Sequence, residues 1–106
     1  MKKSILKVAL NVPIDNLFDY KIPSKSLVQP KKGQRVKVQF GKQEKIGFIH
    51  NIVSTTTVPA NKLRTTLKII DDEALISKDL FTLISWVARY YHHQIGQVYS
   101  AAVPLY

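Results

Sequence analysis

The chain has 106 residues, of which 16 are basic and seven are acidic, so its formal net charge at pH 7 is +9. Folding does not require such an excess, so the charge indicates an anionic partner, with nucleic acid first and an anionic membrane surface second. The sequence has no long apolar run, basic amphipathic helix or lipidation signal, which argues against a membrane. It also has no cysteine, which excludes disulfides and thiolate metal sites and fits a reducing cytoplasm.

The first third of the chain predicts two short strands and a loop. Apolar and polar residues alternate over residues 6–12, which is the pattern of a half-buried strand, and Pro13 ends it. Residues 18–22 form a second strand, closed by Pro23. Residues 24–32 lack apolar periodicity, so they predict a loop.

A strand with a cationic face follows, over residues 35–40. Its predicted buried face consists of Val36, Val38 and Phe40, and its predicted solvent face consists of Arg35, Lys37 and Gln39. Gly41 breaks this strand, and residues 46–53 form the next one. A cationic strand face that ends in a glycine turn is suited to contact with a phosphate backbone.

The second half of the chain predicts a loop, a strand, a helix and a last strand. Residues 54–62 are a threonine-rich loop, and residues 67–70 form a short strand. Ser77 is suited to cap the start of a helix. Gly96 ends this helix, and residues 97–103 predict a final strand. The apolar residues at helical spacing are Leu80, Leu83, Ile84, Val87, Ala88 and Tyr91.

Together these elements predict a single domain over residues 1–106, of the α+β class and mainly β. The expected architecture is a small twisted sheet or a partly closed, OB-like barrel of about five to six strands. One C-terminal helix is expected to cover an opening of this sheet.

An ordered set of segments resembles the N-terminus of the bacterial PriA family (primosomal protein N-prime). The segments are Val-Ala-Leu-Asn-Val-Pro at 8–13, Leu-Phe-Asp-Tyr at 17–20, residues 33–42, Ile46-Gly47, residues 86–97 and Ala-Ala-Val-Pro at 101–104. No single segment would suffice, but their order over nearly the whole chain makes the match fairly specific.

The resemblance implies a module that holds a DNA 3′ end, at the N-terminus of an ATP-dependent helicase that restarts stalled replication forks. In that family the terminal nucleotide lies in a pocket built from a Phe-Asp pair, a glycine after the basic strand and a downstream lysine. The matching residues here are Phe18, Asp19 and Gly41, with Arg64 at the place of the lysine. Arg64 keeps the charge but donates hydrogen bonds in a planar fork.

The resemblance also implies the partners, namely DNA with a free 3′ end, fork or branched DNA, the remaining helicase domains and primosome proteins, with no membrane. This segment is expected to be non-catalytic and to need no cofactor, because ATP, Mg and Zn would belong only to the parent helicase. The sequence does not match the P-loop motif that binds ATP, since Val36 stands where this motif requires glycine. The apolar end of the chain is typical of a domain boundary, after which the parent is expected to continue into the motor.

The chemistry of these residues fits the recognition of an end. A carboxylate at Asp19 would accept a hydrogen bond from a 3′-hydroxyl and repel a phosphate that continues the strand. Phe18 could stack on the terminal base, and Gly41 lets backbone approach the sugar or phosphate. Arg64 would neutralise terminal phosphates. Supporting phosphate contacts are predicted at Arg35, Lys37 and Lys42.

Each of these residues also has a structural interpretation. Phe18 could be a core residue, Asp19 a turn or surface residue and Gly41 a turn glycine. The cations could form a solvated edge that protects a strand from aggregation. Two other functions therefore stay open at this point, a small basic barrel that binds RNA or protein without end recognition, and an interdomain scaffold.

The histidines and two helix aromatics complete the candidates. His92 and His93 are adjacent and His50 has no partner at ligand spacing, so no metal site is predicted and structural roles are favoured. Trp86 and Tyr90 lie four residues apart, on the flank of the helix. They are expected to complete the core, or otherwise to dock the following domain.

Overall fold

Within the described residues, the fold consists of five antiparallel strands and two helices, which we describe from a computed structural model. The structure describes residues 4–12, 16–23, 28–90 and 95–102. The strands are β1 (Ile5–Ala9), β2 (Phe18–Lys21), β3 (Arg35–Phe40), β4 (Gln43–Val53) and β5 (Lys68–Ile69), and the helices are α1 (Lys78–Tyr90) and α2 (Ile95–Ala102). The strand order in the sheet is β2-β1-β4-β3-β5. The predicted class, α+β with a small, mainly β twisted sheet, is confirmed.

Strand β4 is the long central strand of the sheet and bonds to a different neighbour along each half. Its first half pairs with β3, from Gln43 opposite Phe40 to Phe48 opposite Arg35. Its second half pairs with β1, and the register shifts between Lys7 and Val8. Such an irregularity bends a strand and increases its twist. Strand β4 begins at Gln43, three residues earlier than predicted, because the turn between β3 and β4 has only two residues.

The two outer strands of the sheet are brought together by the segment before β5. The backbone amide of Lys21 donates to the carbonyl of Arg64, and the carbonyl of Lys21 accepts from Thr66, both at 2.9 Å. The amide of Leu67 donates to Lys37 of β3, also at 2.9 Å. Segment 64–67 therefore contacts β2 on one side and β3 on the other, so the sheet curls toward a barrel.

The sheet separates two hydrophobic cores. The larger core is inside the curl, and its buried residues are Leu6, Val8, Leu10, Val12, Tyr20, Val36, Val38, Ile49 and Ile69. The second core lies between the sheet and the helices, and its buried residues are Ala9, Phe48, Ile76, Ile84 and Tyr99. The predicted buried face of β3 is confirmed at Val36 and Val38, which are fully buried, whereas Phe40 is only partly buried.

A network of polar contacts fixes the linker between β5 and α1. The side chain of Gln34 is buried and donates to the carbonyls of Gln29, Asp71 and Asp72 at 3.0–3.3 Å. Arg35 forms a two-pronged bond with the carboxylate of Asp71, at 2.8 Å through Nη2 and 3.1 Å through Nε. These contacts hold the linker against the start of β3, so α1 begins at a defined place.

The start of α1 agrees with the sequence, but part of its predicted core face does not. Ser77 Oγ accepts a hydrogen bond from the amide of Leu80 at 3.1 Å, which confirms the predicted cap. Ile84 is buried, whereas Leu83 is 54% exposed. The predicted core residue Tyr91 lies outside the described residues, as do His92 and His93.

The predicted last strand over residues 97–103 is wrong, because residues 95–102 form the helix α2. A short apolar run fits a strand and a buried helix equally well, and its packing decides between them. The Tyr99 ring stacks on Phe48 with centroids 4.9 Å apart and is fully buried. Gly96 does not end a helix either. It lies in the first turn of α2, against the backbone of Leu10, where a Cβ atom would come within 1.6 Å of the Leu10 carbonyl oxygen.

Gly96→Ala therefore tests how α2 is packed. The added methyl group must push α2 away from β1, which we expect to lower the free energy of unfolding by about 3 kcal/mol, at the upper end for overpacking. Gln97→Ala, at the exposed next residue, should change it by less than about 0.5 kcal/mol. Urea unfolding measures both, and an equal effect of the two substitutions would contradict this packing.

His50 lies where β4 meets both helices. Its Nδ1 is 3.0 Å from the hydroxyl of Tyr99, and its ring stacks on Phe81 with centroids 5.0 Å apart. Burial, and to a lesser extent the charge of Lys32, lowers the pKa of His50 below its ordinary value. The folded protein therefore holds this imidazole neutral, and the structural role predicted for it agrees with these contacts.

This lowered pKa makes stability depend on pH. In the unfolded chain His50 gains its proton near the ordinary value of 6.5, whereas in the folded chain it does so only at lower pH. The stabilisation is therefore complete above that value and is lost as the pH falls from it toward the folded-state pKa. The free energy of unfolding should decrease over this range, and His50→Gln should show a smaller decrease. An unchanged pH dependence in the variant would rule out this role.

Candidate nucleic-acid interface

The structure contains a cavity of about 220 Å³ beside β2, the β3–β4 turn and the loop that precedes β5. Four of its lining residues are those that the sequence predicted for a 3′-end site, namely Phe18, Asp19, Gly41 and Arg64. The others are Tyr20, Gln39, Phe40, Val58 and Lys62. We call this cavity the pocket. The closure of the sheet places its residues side by side, although they are far apart in the sequence.

Gly41 forms the turn at the edge of the pocket. Its φ angle is +62°, a left-handed conformation that favours glycine, and its carbonyl accepts from Arg64 Nη1 at 3.0 Å and from Gln39 Nε2 at 3.1 Å. A Cβ atom at Gly41 would meet no heavy atom within 4 Å. Arg64 thus holds the turn through the Gly41 carbonyl. The Cα of Gly41 faces open space, which leaves room for a ligand to approach the backbone.

Arg64 has further N–H donors beyond the one that bonds to Gly41. Its guanidinium group carries five N–H donors, and one of its nitrogens, Nη1, bonds to Gly41. The residue is exposed, and Lys62 lies beside it in the pocket lining. These two cations give one side of the pocket a positive potential that would favour a phosphate.

Aromatic side chains form another part of the pocket. The rings of Phe18 and Phe40 meet edge to face, with centroids 5.0 Å apart, and both are partly buried. Tyr20 is buried beneath them and its hydroxyl donates to the carbonyl of Gln39 at 2.9 Å. Burial raises the pKa of this hydroxyl further above its ordinary value, which favours the protonated form that donates this bond. Phe18 therefore packs on the core and lines the pocket at once, and both interpretations of this residue agree with its position.

Asp19 is held from two sides. The register of β1 and β2 places Lys7 opposite it, and Lys7 Nζ lies 2.9 Å from Oδ1. Thr56 Oγ1 donates to Oδ2 at 2.5 Å and accepts from the amide of Val58 at 3.1 Å. The Asp19 side chain is only 5% exposed, so it is neither a turn residue nor a surface residue. Each carboxylate oxygen has a second lone pair that can still accept a hydrogen bond.

The three predicted supporting cations lie outside the pocket lining. Lys42 is exposed in the turn next to Gly41, and Lys37 is 3.2 Å from the carboxylate of Glu44 on the neighbouring strand. Arg35 is bound to Asp71, and this contact holds the pKa of the Asp71 carboxyl below its ordinary value. Their phosphate contacts stay predictions, and Arg35 would have to leave Asp71 to make one.

Sequence reasoning missed three residues that shape the pocket. Lys62 lines it, and Lys7 and Thr56 hold the Asp19 carboxylate. Lys7 could have been found, because alternation in two paired strands places it on the same face as Asp19. Lys62 and Thr56 lie in a loop with no periodic signal, so only the folded chain shows where they point.

Trp86 and Tyr90 do not complete the core. The two residues are 47% and 58% exposed, and their rings contact each other with centroids 5.3 Å apart. The interpretation as core residues is therefore wrong, and docking of a following domain stays a prediction. Among the described residues, no helix is long and apolar enough to cross a membrane, and no group of three potential metal ligands comes together.

Comparison with known proteins gives one family and several relatives. Residues 7–104 match the PriA family described as 3′DNA-binding domain (3′BD). The replication restart protein PriA of Haemophilus influenzae is 34% identical over 101 residues, which cover 95% of this chain and 14% of that protein. The protein of the same name from Buchnera aphidicola subsp. Schizaphis graminum is 28% identical over 102 residues, again 14% of its length. The chain therefore spans about one seventh of these relatives.

Thr56→Val tests whether the contacts of Asp19 exist as described. Valine has nearly the same shape but leaves the amide of Val58 and one oxygen of the buried carboxylate without a partner, which should cost about 1–3 kcal/mol of stability. Thr57→Val, at the exposed next residue, should cost less than about 0.5 kcal/mol. Thermal and urea unfolding compare the two, and a neutral Thr56→Val would show that Thr56 does not hold Asp19.

Proposed function

The chain belongs to the PriA family of 3′ DNA-binding domains, and from this membership we propose that its pocket binds the 3′-terminal nucleotide of a DNA strand with a free 3′-hydroxyl. The observation that carries the proposal is the meeting of Phe18, Asp19, Gly41 and Arg64 around one cavity. A strand terminus offers a hydroxyl, a base, a sugar and phosphates. The carboxylate would contact the hydroxyl and the aromatic ring the base, the open glycine would let the sugar or phosphate approach, and the cation would neutralise the phosphates.

The carboxylate supplies discrimination between ends. A 3′-hydroxyl donates a hydrogen bond to Asp19, whereas a 3′-phosphate or a continuing strand places a negative charge beside it. Lys7 and Thr56 fix the orientation of the carboxylate before the ligand arrives, so little ordering remains to be done on binding. Loss of one such hydrogen bond to a buried group costs about 1–3 kcal/mol.

The rings and cations supply affinity without reading a sequence. A base that stacks on Phe18, beside Phe40, gains about 1–3 kcal/mol, and this gain depends little on which base it is. Arg64 and Lys62 would neutralise the terminal phosphates, with Arg35, Lys37 and Lys42 as supporting contacts. Such a pocket recognises an end in any sequence.

The relatives are named replication restart proteins, and this gives the proposed context. The domain would capture the 3′ end of the leading strand at a stalled or branched fork in the cytoplasm. It would do so as the N-terminal part of an ATP-dependent helicase that works with primosome proteins. The ATP, Mg and Zn sites of such a parent would lie in its other domains.

The state of the DNA end is the direct test. We expect a labelled single strand with a 3′-hydroxyl to bind about tenfold more tightly than its 3′-phosphorylated copy, in fluorescence anisotropy. A 5′-phosphorylated copy carries the same added charge at the other end and should bind as tightly as the unmodified strand. Equal binding of all three would remove end recognition and favour a basic module that binds nucleic acid generally, and no binding at low salt would favour a scaffold.

Asp19→Asn tests whether Asp19 is the residue that distinguishes a 3′-hydroxyl from a 3′-phosphate. The amide keeps the shape of the side chain and one acceptor oxygen but removes the negative charge. We therefore expect the preference for a 3′-hydroxyl over a 3′-phosphate to shrink, while the dependence of affinity on salt, which the cations set, stays the same. A preserved preference together with an altered salt dependence would show that Asp19 has been given the wrong role.

A further inference from the structure

A second and larger cavity, of about 450 Å³, lies on the side of the sheet that the helices cover. We call it the cleft. Residues of β1, β4, both helices and the segment before β2 line it, and those used below are Lys7, Asn16, Leu17, Ser85 and Arg89.

The lining of the cleft carries positive charge and hydrogen-bond donors. Lys7 and Arg89 are its charged residues, and no acidic side chain is among the described residues that line it. The ammonium group of Lys7 has three donors and is 2.9 Å from one oxygen of Asp19, so it can still contact a second anion. Asn16 and Ser85 add neutral donors. The set suits the oxygens of a phosphate group.

The cleft and the pocket are adjacent along one stretch of chain. Asn16 and Leu17 line the cleft, and residues 18–20 line the pocket. An extended chain rises by roughly 3.3 Å per residue, so the four steps from Asn16 to Tyr20 span roughly 13 Å. Lys7 also connects the two sites, because it lines the cleft and pairs with Asp19, which lines the pocket. The cleft and the pocket lie on opposite sides of the sheet at β2, which is an outer strand, so a short single strand would reach from one to the other around this strand.

We propose that the cleft binds a phosphate of the same DNA strand, a few nucleotides before the 3′-terminal nucleotide in the pocket. The inference rests on the proposed function of the pocket and adds a second contact to it. Lys7 and Arg89 neutralise the phosphate, and Asn16 and Ser85 donate to its oxygens. The domain then recognises an end together with the strand that leads to it.

Arg89→Gln removes the charge at the far side of the cleft. We expect it to weaken binding of a dodecamer with a 3′-hydroxyl severalfold and to reduce the salt slope by about one. Binding of a dinucleotide, which reaches only the pocket and is followed by NMR chemical shifts, should not change. The control is Lys78→Gln, which removes the same charge from an exposed residue at the other end of α1 and should leave dodecamer binding unchanged.

Ser85→Leu gives the same test without a change of charge. Leucine is the better helix former and fills part of the cleft, so the dodecamer should again bind more weakly and the dinucleotide normally. Circular dichroism checks that both cleft variants are folded. Equal effects of Arg89→Gln and Lys78→Gln, or a loss that also affects the dinucleotide, would overturn the proposal. Failure of the pocket itself would show differently, as an unmodified chain that does not distinguish a 3′-hydroxyl from a 3′-phosphate.

Discussion

The backbone pairing between Lys21 and residues 64–66 is the constraint on which the site depends. It brings the loop before β5 against β2, an outer strand of the sheet, and so places Arg64 Nη1 3.0 Å from the Gly41 carbonyl. Without this closure the aromatic residues of β2 and the cations of the loop would belong to separate surfaces. The pairing is made by main-chain groups, so it leaves the side chains of this region available for a ligand.

A second constraint follows from placing a carboxylate in a domain with an excess of positive charge. An unpartnered buried carboxylate would be costly, and Lys7 and Thr56 offset that cost by bonding one oxygen each. The partners lie on β1 and in the loop after β4, so three parts of the chain fix one functional group. The result is an acceptor of defined orientation beside cations, which is a combination that general phosphate binding does not need.

The sequence predicted the sheet well because alternation reports one buried face directly. Val36 and Val38, which are both fully buried, illustrate this. The last element was predicted as a strand but is a helix, because the apolar run around Tyr99 has no period that separates a buried helix from a strand. Gly96 also misled the prediction, since it marks a close contact with Leu10 and not the end of a helix. The four pocket residues came from resemblance to a family, whereas Thr56 and Lys62 depend on the path of a loop that no local pattern encodes.

Lys7 gives the two sites a physical connection. Its ammonium group is shared between Asp19, at the pocket, and the space of the cleft, so a phosphate in the cleft would draw it away from the carboxylate or strengthen a three-membered network of charges. In either case the acceptor strength of Asp19 would depend on what occupies the cleft, and by thermodynamic linkage occupancy of the pocket would change the affinity of the cleft by the same factor. Recognition of the terminus and of the strand behind it would therefore be coupled through one side chain rather than being two independent contacts.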